Sequence, residues 1–263
     1  MITKNDWFTC KLDSVDFIPH IQPYNFNKLD FNIACEYTAK ELHKKYSTIY
    51  VAYSGGLDSE YIVRTFHRLS IPIIPIIVSC GSKHENSFAI NTCLELNIEP
   101  IIINVSEKDL LIKFYKFIFE PFKSIGINYT HAFFAADYVL ANKSGVLITG
   151  NNLLDEHANT NDDANINDWD FTLGYYNSKL TQIDFFLYDI STAFSMLPNI
   201  EPLDAISVQQ YKSYIYNIPF RTKIRPLFSN YFNQIYRTMV KTTPQKSAYF
   251  NKKFTDSIID RYT

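Results

Sequence analysis

Glycine is scarce in this chain, with seven in 263 residues. Each one is therefore informative, because glycine alone takes positive φ freely and lets backbone approach a ligand closely. Cysteine is also scarce. Cys10, Cys35, Cys80 and Cys93 are widely spaced with no CxxC pair, which argues against a structural zinc site and fits a reducing compartment. No apolar run approaches the ~18 residues of a membrane span. The opening Met1-Ile2-Thr3-Lys4-Asn5-Asp6 has no basic segment leading into an apolar stretch, so the expectation is a cytoplasmic protein without a membrane partner. Absent too are GxxxxGK followed by Ser or Thr, and GxGxxG, which excludes the kinase or GTPase P-loop and the dinucleotide fingerprint.

What is present is ordinary in bulk. Hydrophobic residues at 46% and charged residues at 20% fit a soluble globular chain with a sizeable core. Asn, Ile, Lys, Tyr and Phe are abundant, the usage expected of an AT-rich genome. The net charge of −2 conceals an asymmetry: from Ala205 onward ten Lys/Arg stand against two Asp/Glu, about +8, leaving about −10 for the rest. The acid gathers between Asp155 and Asp204. Two readings fit, opposite blocks facing each other within the fold or a basic tail that meets a phosphate-rich partner.

Periodicity gives the organisation. An irregular opening leads to an amphipathic helix over about 32–45, then to an apolar strand at Ile49-Tyr50-Val51-Ala52-Tyr53. After the glycines, Ile62, Val63, Phe66 and Leu69 recur at helical spacing over 57–69. The pattern repeats: a strand at 73–78 blemished by Pro75, a helix over 85–96, a strand at 100–105, helices near 108–119 and 130–141, and a strand at 146–149. Strands apolar on both faces, separated by helices, predict an α/β fold, a doubly wound parallel sheet. The polar stretch from Asn151 to Asp170 reads as a long lid loop, and the remainder as mostly helical, broken at Pro198, Pro202, Pro219, Pro226 and Pro244. The expected division is 1–46 as an N-terminal extension and helix, 47–156 as the α/β core, and 157–263 as lid and basic C-terminal region.

Gly55 and Gly56 follow the first expected strand, Gly81 the second and Gly150 the fourth. They therefore sit where open parallel sheets bind ligands, beyond the carboxyl ends of the strands. Ser54-Gly55-Gly56-Leu57-Asp58-Ser59 runs from strand into helix, so backbone N–H groups and the positive helix end converge on an anion site. Ser54 and Ser59 supply hydroxyl donors for phosphate oxygens. Asp58 would be repelled by phosphate unless a divalent cation lies between them, which implies Mg²⁺.

With these residues the chain resembles the PP-loop ATP pyrophosphatases, the adenine nucleotide α-hydrolase-like superfamily, whose signature SGGxDS follows the first strand. The resemblance covers Thr48 to Glu156, about 40% of the chain. It implies a Rossmann-like sheet, ATP with Mg²⁺ as cofactors, attack of a substrate oxygen on the α-phosphate, and release of pyrophosphate. The adenylated substrate is then taken by ammonia, an amine or a sulfur nucleophile. By the same resemblance Val78, Ser79 and Cys80 line the adenine pocket, with His84 and Glu85 near the next helix start, where capping explains them equally well.

Thr149-Gly150-Asn151-Asn152-Leu153-Leu154-Asp155-Glu156 is similar to the GxGADE of asparagine synthetases, with one extra residue before the acidic pair. It also resembles the GHHxDD of tRNA-modifying relatives, with Asn151 and Asn152 in place of the histidines. Gly150 and Asn151 are thus nucleotide-site candidates. Asp155 is a candidate metal ligand beside Asp58, or a general base, and Glu156 its companion; a solvated acidic loop is the alternative. Lys223, in a basic cluster with Arg221 and Arg225, and Lys246 are candidates to reach the triphosphate, against solvated or acid-paired lysines. Cys80 and Cys93 could carry sulfur, although buried cysteines are common on such scaffolds.

Within the superfamily, a glutaminase domain is not expected, since residue 2 is Ile2 and about 45 residues precede the first strand. No cysteine follows Cys93, which removes the 7-cyano-7-deazaguanine synthases and sulfonucleotide reductases. The resemblance that remains is to a stand-alone asparagine synthetase-like core, adenylating a carboxylate or carbonyl oxygen for attack by ammonia or an amine. Its partners would be ATP and a small-molecule acceptor. One alternative is a tRNA- or nucleobase-modifying enzyme, helped by the aromatic, basic tail and weakened by a pI near 6.3. Another is a nucleotide-binding regulatory subunit without catalysis. The aromatic content also fits a homodimer.

Overall fold

The computed structural model describes residues 8–13, 16–21, 29–80, 86–110, 130–142, 145–150, 152, 182–196, 208–221 and 229–230. An antiparallel hairpin, β1 (Phe8–Asp13) and β2 (Asp16–Ile21), comes first. Then follow α1 (Phe31–Lys45), β3 (Ile49–Ala52), α2 (Leu57–Arg68), β4 (Ile74–Ser79), α3 (Ser87–Glu95) and β5 (Ile101–Asn104). The later elements are α4 (Thr130–Asn142), β6 (Val146–Thr149), β7 (Gln182–Asp184), a 3-10 turn at Phe185–Leu187, α5 (Ile190–Ser195) and α6 (Val208–Tyr216).

The five strands β3 to β7 form one sheet in the order β5-β4-β3-β6-β7, all parallel. From β3 the chain winds outward through β4 to β5, then returns to the other side of β3 for β6 and β7. The topological switch point therefore lies between β3 and β6, where open sheets of this kind hold their ligands. This is the doubly wound, Rossmann-like sheet expected from the sequence, and the described C-terminal part is largely helical.

Alternation along the strands builds a core on each face. Ile49 and Val51 of β3, Ile77 of β4, and Val146 and Ile148 of β6 pack with α1, α2, α3 and α6. Tyr50, Ile76, Val78 and Leu147 point the opposite way, onto Phe133, Ala136 and Val139 of α4. Burial on both faces is why these strands read as unbroken apolar runs. Local signals fix the helix ends. Asp30 caps α1 by accepting from the amides of Asn32 and Ile33, at 2.9 and 3.2 Å, and His43, Lys44 and Lys45 occupy its last turn.

Pro75 sits inside the sheet, paired with Val51. Tyr53 N–H donates to the Ile76 carbonyl at 2.9 Å, so Ile76 faces β3 and Pro75 faces the β5 side. There the β4–β5 register begins only at Ile76 and Ile101, and the missing N–H has no ladder partner to lose.

Two strand assignments differ from the expectation. The opening, expected to be irregular, contains the hairpin, whose strands mix Phe8, Phe17, Ile18 and Ile21 with Lys11, Asp13, Pro19 and His20 and so show no clean alternation. The strand β7 was not expected because Gln182-Ile183-Asp184 has one apolar residue; it exists through pairing with β6. The expected helix at 108–119 and the loop at 151–170 fall largely outside the described residues.

Cys35, Cys80 and Cys93 are buried. Burial pushes the Cys35 thiol far above its usual range, and burial alone raises Cys93 to about 11. At pH 8 Cys93 is then on the order of 0.1% thiolate, which is the reverse of an activated sulfur nucleophile. Alkylation at pH 8 mapped by mass spectrometry should label Cys35 and Cys93 only in step with unfolding by urea. Rapid labelling of either in the native protein would contradict this packing.

Candidate active site

The loop after β3 is shaped by short polar groups bonding to one another. Gly56 N–H donates to Ser54 Oγ at 3.4 Å, the Ser59 hydroxyl donates to the Gly56 carbonyl at 3.1 Å, and the two serine hydroxyls lie 3.3 Å apart. Gly55 has φ +74°, and a Cβ there would stand 3.2 Å from the backbone nitrogen of Ala89 on α3. Both the left-handed turn and the contact with α3 thus require glycine. The helix α2 starts at Leu57 behind Gly56, with no side-chain cap on its first-turn amides. Together these features leave the positive end of a 12-residue helix facing the switch point.

Asp58 stands at that end, its side chain 26% exposed. Its Oδ2 pairs with the ammonium of Lys212 at 3.0 Å, and its Oδ1 accepts from the Tyr216 hydroxyl at 2.6 Å. Both partners come from α6, spaced i and i+4 on one face. Lys212 is itself buried, with 5% of its side chain exposed. Burial, then the adjacent Asp58 charge, pushes the Tyr216 phenol well above its usual range, so it is a donor and never a phenolate near neutral pH. The ring is wedged in an aromatic stack: Tyr61 at 4.5 Å, Phe31 at 5.6 Å and Phe186 at 5.8 Å between centroids. Tyr61 lies one turn after Asp58 on α2 and donates to Asn32 Oδ1 at 2.8 Å.

The other wall is the segment after β6. A Cβ on Gly150 would lie 3.1 Å from Asp58 Cβ and 3.4 Å from Ser59 N, so this glycine is a close-approach residue against the first turn of α2. Asn152 is buried and donates from Nδ2 to the Gly150 carbonyl at 3.1 Å. Thr149 Oγ1 donates to the buried Asp184 carboxylate, joining the carboxyl ends of β6 and β7. On the far side Asn86, buried at the start of α3, donates to the Val78 carbonyl at 3.4 Å.

A second charged cluster supports the first turn. Glu60 is fully buried and carries Arg64 at 2.9 Å and the guanidinium of Arg221. Arg64 makes a two-pronged contact with Glu95 at 2.9 and 2.8 Å. Arg221 also lies over the Phe88 ring, 4.4 Å from its centroid. The segment after α6 is thereby fastened to α2 and α3 on either side of the loop.

Of the residues proposed from sequence, Ser54, Gly55, Gly56, Leu57, Asp58, Ser59 and Gly150 come together at the switch point. Val78 and Ser79 end the adjacent strand β4. Asn151, Asp155, Glu156 and Lys223, with His84, Glu85 and Lys246, lie outside the described residues. The sequence reading singled out neither Lys212 nor Tyr216. Their signal is a Lys and a Tyr four apart in a helical stretch ending before Pro219, and ten basic residues in that third of the chain leave it indistinct.

No family model and no curated protein matches this chain. Among solved structures it is similar to NMN synthetase from Francisella tularensis, at 13% identity and TM-score 0.39, over 78% of this chain and 100% of that one. It is similar to a protein described as a predicted subunit of tRNA methyltransferase from Methanocaldococcus jannaschii, at 16% identity and TM-score 0.39, over 76% and 94%. It is similar also to NH3-dependent NAD synthetase from Campylobacter jejuni, at 14% identity and TM-score 0.39, over 89% and 97%. Likenesses this weak carry no chemistry; the site has to be read from its own residues.

Gly150→Ala tests the close approach. The added methyl forces Asp58 to shift by a few tenths of an ångström, so the variant should fold with a loss of about 1–2 kcal/mol. Thermal melts of the two proteins side by side measure the loss. An unchanged melting temperature would mean that the loop after β6 does not press on the first turn of α2.

Proposed function

We propose that this protein is an ATP-dependent adenylating enzyme that splits ATP into AMP and pyrophosphate. On this reading it activates a carboxylate or carbonyl oxygen for attack by ammonia or an amine. The observation that carries the reading is the uncapped start of α2 behind Ser54-Gly55-Gly56, with Asp58 held at its mouth by a buried lysine. An anion-shaped loop with an acid at its entrance suits a polyphosphate that arrives with a cation.

The residues present fit Mg²⁺. The Lys212 ammonium already sits on Asp58 Oδ2, so a cation is accommodated at that oxygen. Among the described residues no group of three His, Cys, Asp or Glu gathers to cage a metal, and Mg²⁺ is commonly held by one or two carboxylates with phosphate and water oxygens completing the set. Asp58 would hold it, with Asp155 proposed from the sequence as a second ligand. Bound there, the ion would neutralise phosphate charge.

The chain's own groups would do the rest. The Ser54 and Ser59 hydroxyls and the first-turn amides would grip the departing pyrophosphate. Lys212, paired with Asp58 without ligand, would turn to phosphate oxygens once the nucleotide brings its own cation, offsetting charge on the leaving group. We assign it the role proposed from sequence for Lys223. A substrate oxygen attacks the α-phosphorus as the bond to pyrophosphate breaks. Nitrogen then attacks the activated carbon, AMP departs, and the nitrogen loses its proton to solvent. Positioning supplies most of the rate in such a scheme.

Product analysis with ATP labelled on the α-phosphate, Mg²⁺ and pooled acceptors decides the reaction class. Labelled AMP with matching pyrophosphate is expected, and the stimulating pool identifies the acceptor. Labelled ADP, or tight binding without turnover, would overturn the proposal, the latter in favour of a regulatory role.

Asp58→Asn should cut turnover by about 10²–10³. It should also lower the melting temperature, because Lys212 loses its counter-charge in a buried setting. Adding Lys212→Met should restore stability without restoring turnover, a separation that thermal melts and rate assays on the double variant would reveal.

A further inference from the structure

Asp58 has two carboxylate oxygens with different partners. Lys212 sits on Oδ2 at 3.0 Å, while the Tyr216 hydroxyl donates to Oδ1 at 2.6 Å. A carboxylate only accepts, so the phenol proton occupies a lone pair of Oδ1 and draws charge from that oxygen. The two contacts differ in how readily they are given up. Lysine has a flexible stem and can move its ammonium to a phosphate. The tyrosine has only ring rotation available, and Tyr61, Phe31 and Phe186 pack against that ring.

We propose that Tyr216 is a positioning residue that biases Asp58 toward one-oxygen coordination and thereby makes the nucleotide site favour Mg²⁺ over Ca²⁺. Mg²⁺ takes six ligands at ~2.0–2.1 Å and accepts carboxylates through one oxygen, whereas Ca²⁺ takes six to eight at ~2.3–2.6 Å and readily draws both oxygens of one carboxylate. With one lone pair of Oδ1 taken by the phenol and the carboxylate held in orientation, two-oxygen binding of the larger ion is weakened while one-oxygen binding of the smaller one through Oδ2 is not. The inference rests on Asp58 being the cation ligand, as proposed above.

The test is binding, without turnover. An ATP analogue with methylene between the α- and β-phosphorus is titrated into the protein with Mg²⁺ alone or Ca²⁺ alone, and affinities are read by calorimetry and by thermal shift. Wild type should favour the Mg²⁺ complex. Tyr216→Phe keeps the ring stack and removes only the hydroxyl, so the preference should shift toward Ca²⁺ by about fivefold, chiefly through tighter Ca²⁺ binding. A purely structural tyrosine would weaken both complexes equally, and an unchanged ratio overturns the inference while leaving the nucleotide site standing. A wild type that binds both complexes alike overturns it whether or not the variant folds. A wild type that binds neither overturns the nucleotide proposal as well.

Discussion

An acid at the positive end of a helix is held in place by the helix field, and among buried neighbours it must also share its charge with a cation. Asp58 meets both conditions, and much of the surrounding structure follows from how its carboxylate is held. The ammonium of Lys212 supplies the opposite charge and Tyr216 fixes the second oxygen. Each is buried, so neither contact is a solvent-screened surface pair of small effect. Removing either partner would strand a polar group in the interior, which costs more than the contact itself contributes.

Holding Asp58 this way constrains three layers of the protein. The sheet must present β3 beside β6, so that Gly150 can lie against the first turn of α2. The aromatic layer of Phe31, Tyr61, Phe186 and Tyr216 must pack tightly enough to aim one hydroxyl. The segment behind α6 must stay close, which the Glu60–Arg221 pair and the Arg221–Phe88 contact secure. Glu60 lies two residues after Asp58, so one helical turn carries both the acid paired with α6 and the acid that anchors the segment behind it.

Much of this could be read in the sequence wherever the signal was local. The strand at 146–149 has the predicted bounds, and β3, β4 and β5 agree within a residue, because buried parallel strands are continuous apolar runs. The loop was legible because seven glycines in the whole chain made two adjacent ones conspicuous. Elements defined by long-range partners were not legible. The strand β7 has no periodicity of its own, and Lys212 differs from nine other basic residues of its region only by what the fold sets opposite it. Tyr216 illustrates the same limit, since a stacked core tyrosine and one aimed at a carboxylate have identical local sequence.

The Asp58 contacts with α6 join residues 154 and 158 positions apart, while the loop itself closes within six residues. Such a separation makes the contact entropically costly to close by itself, and the sheet between its ends shortens the path. The carboxylate therefore keeps its counter-charge only while the sheet holds β3 beside β6 and α6 over α2. A local opening of α6 would leave the loop formed around an uncompensated acid.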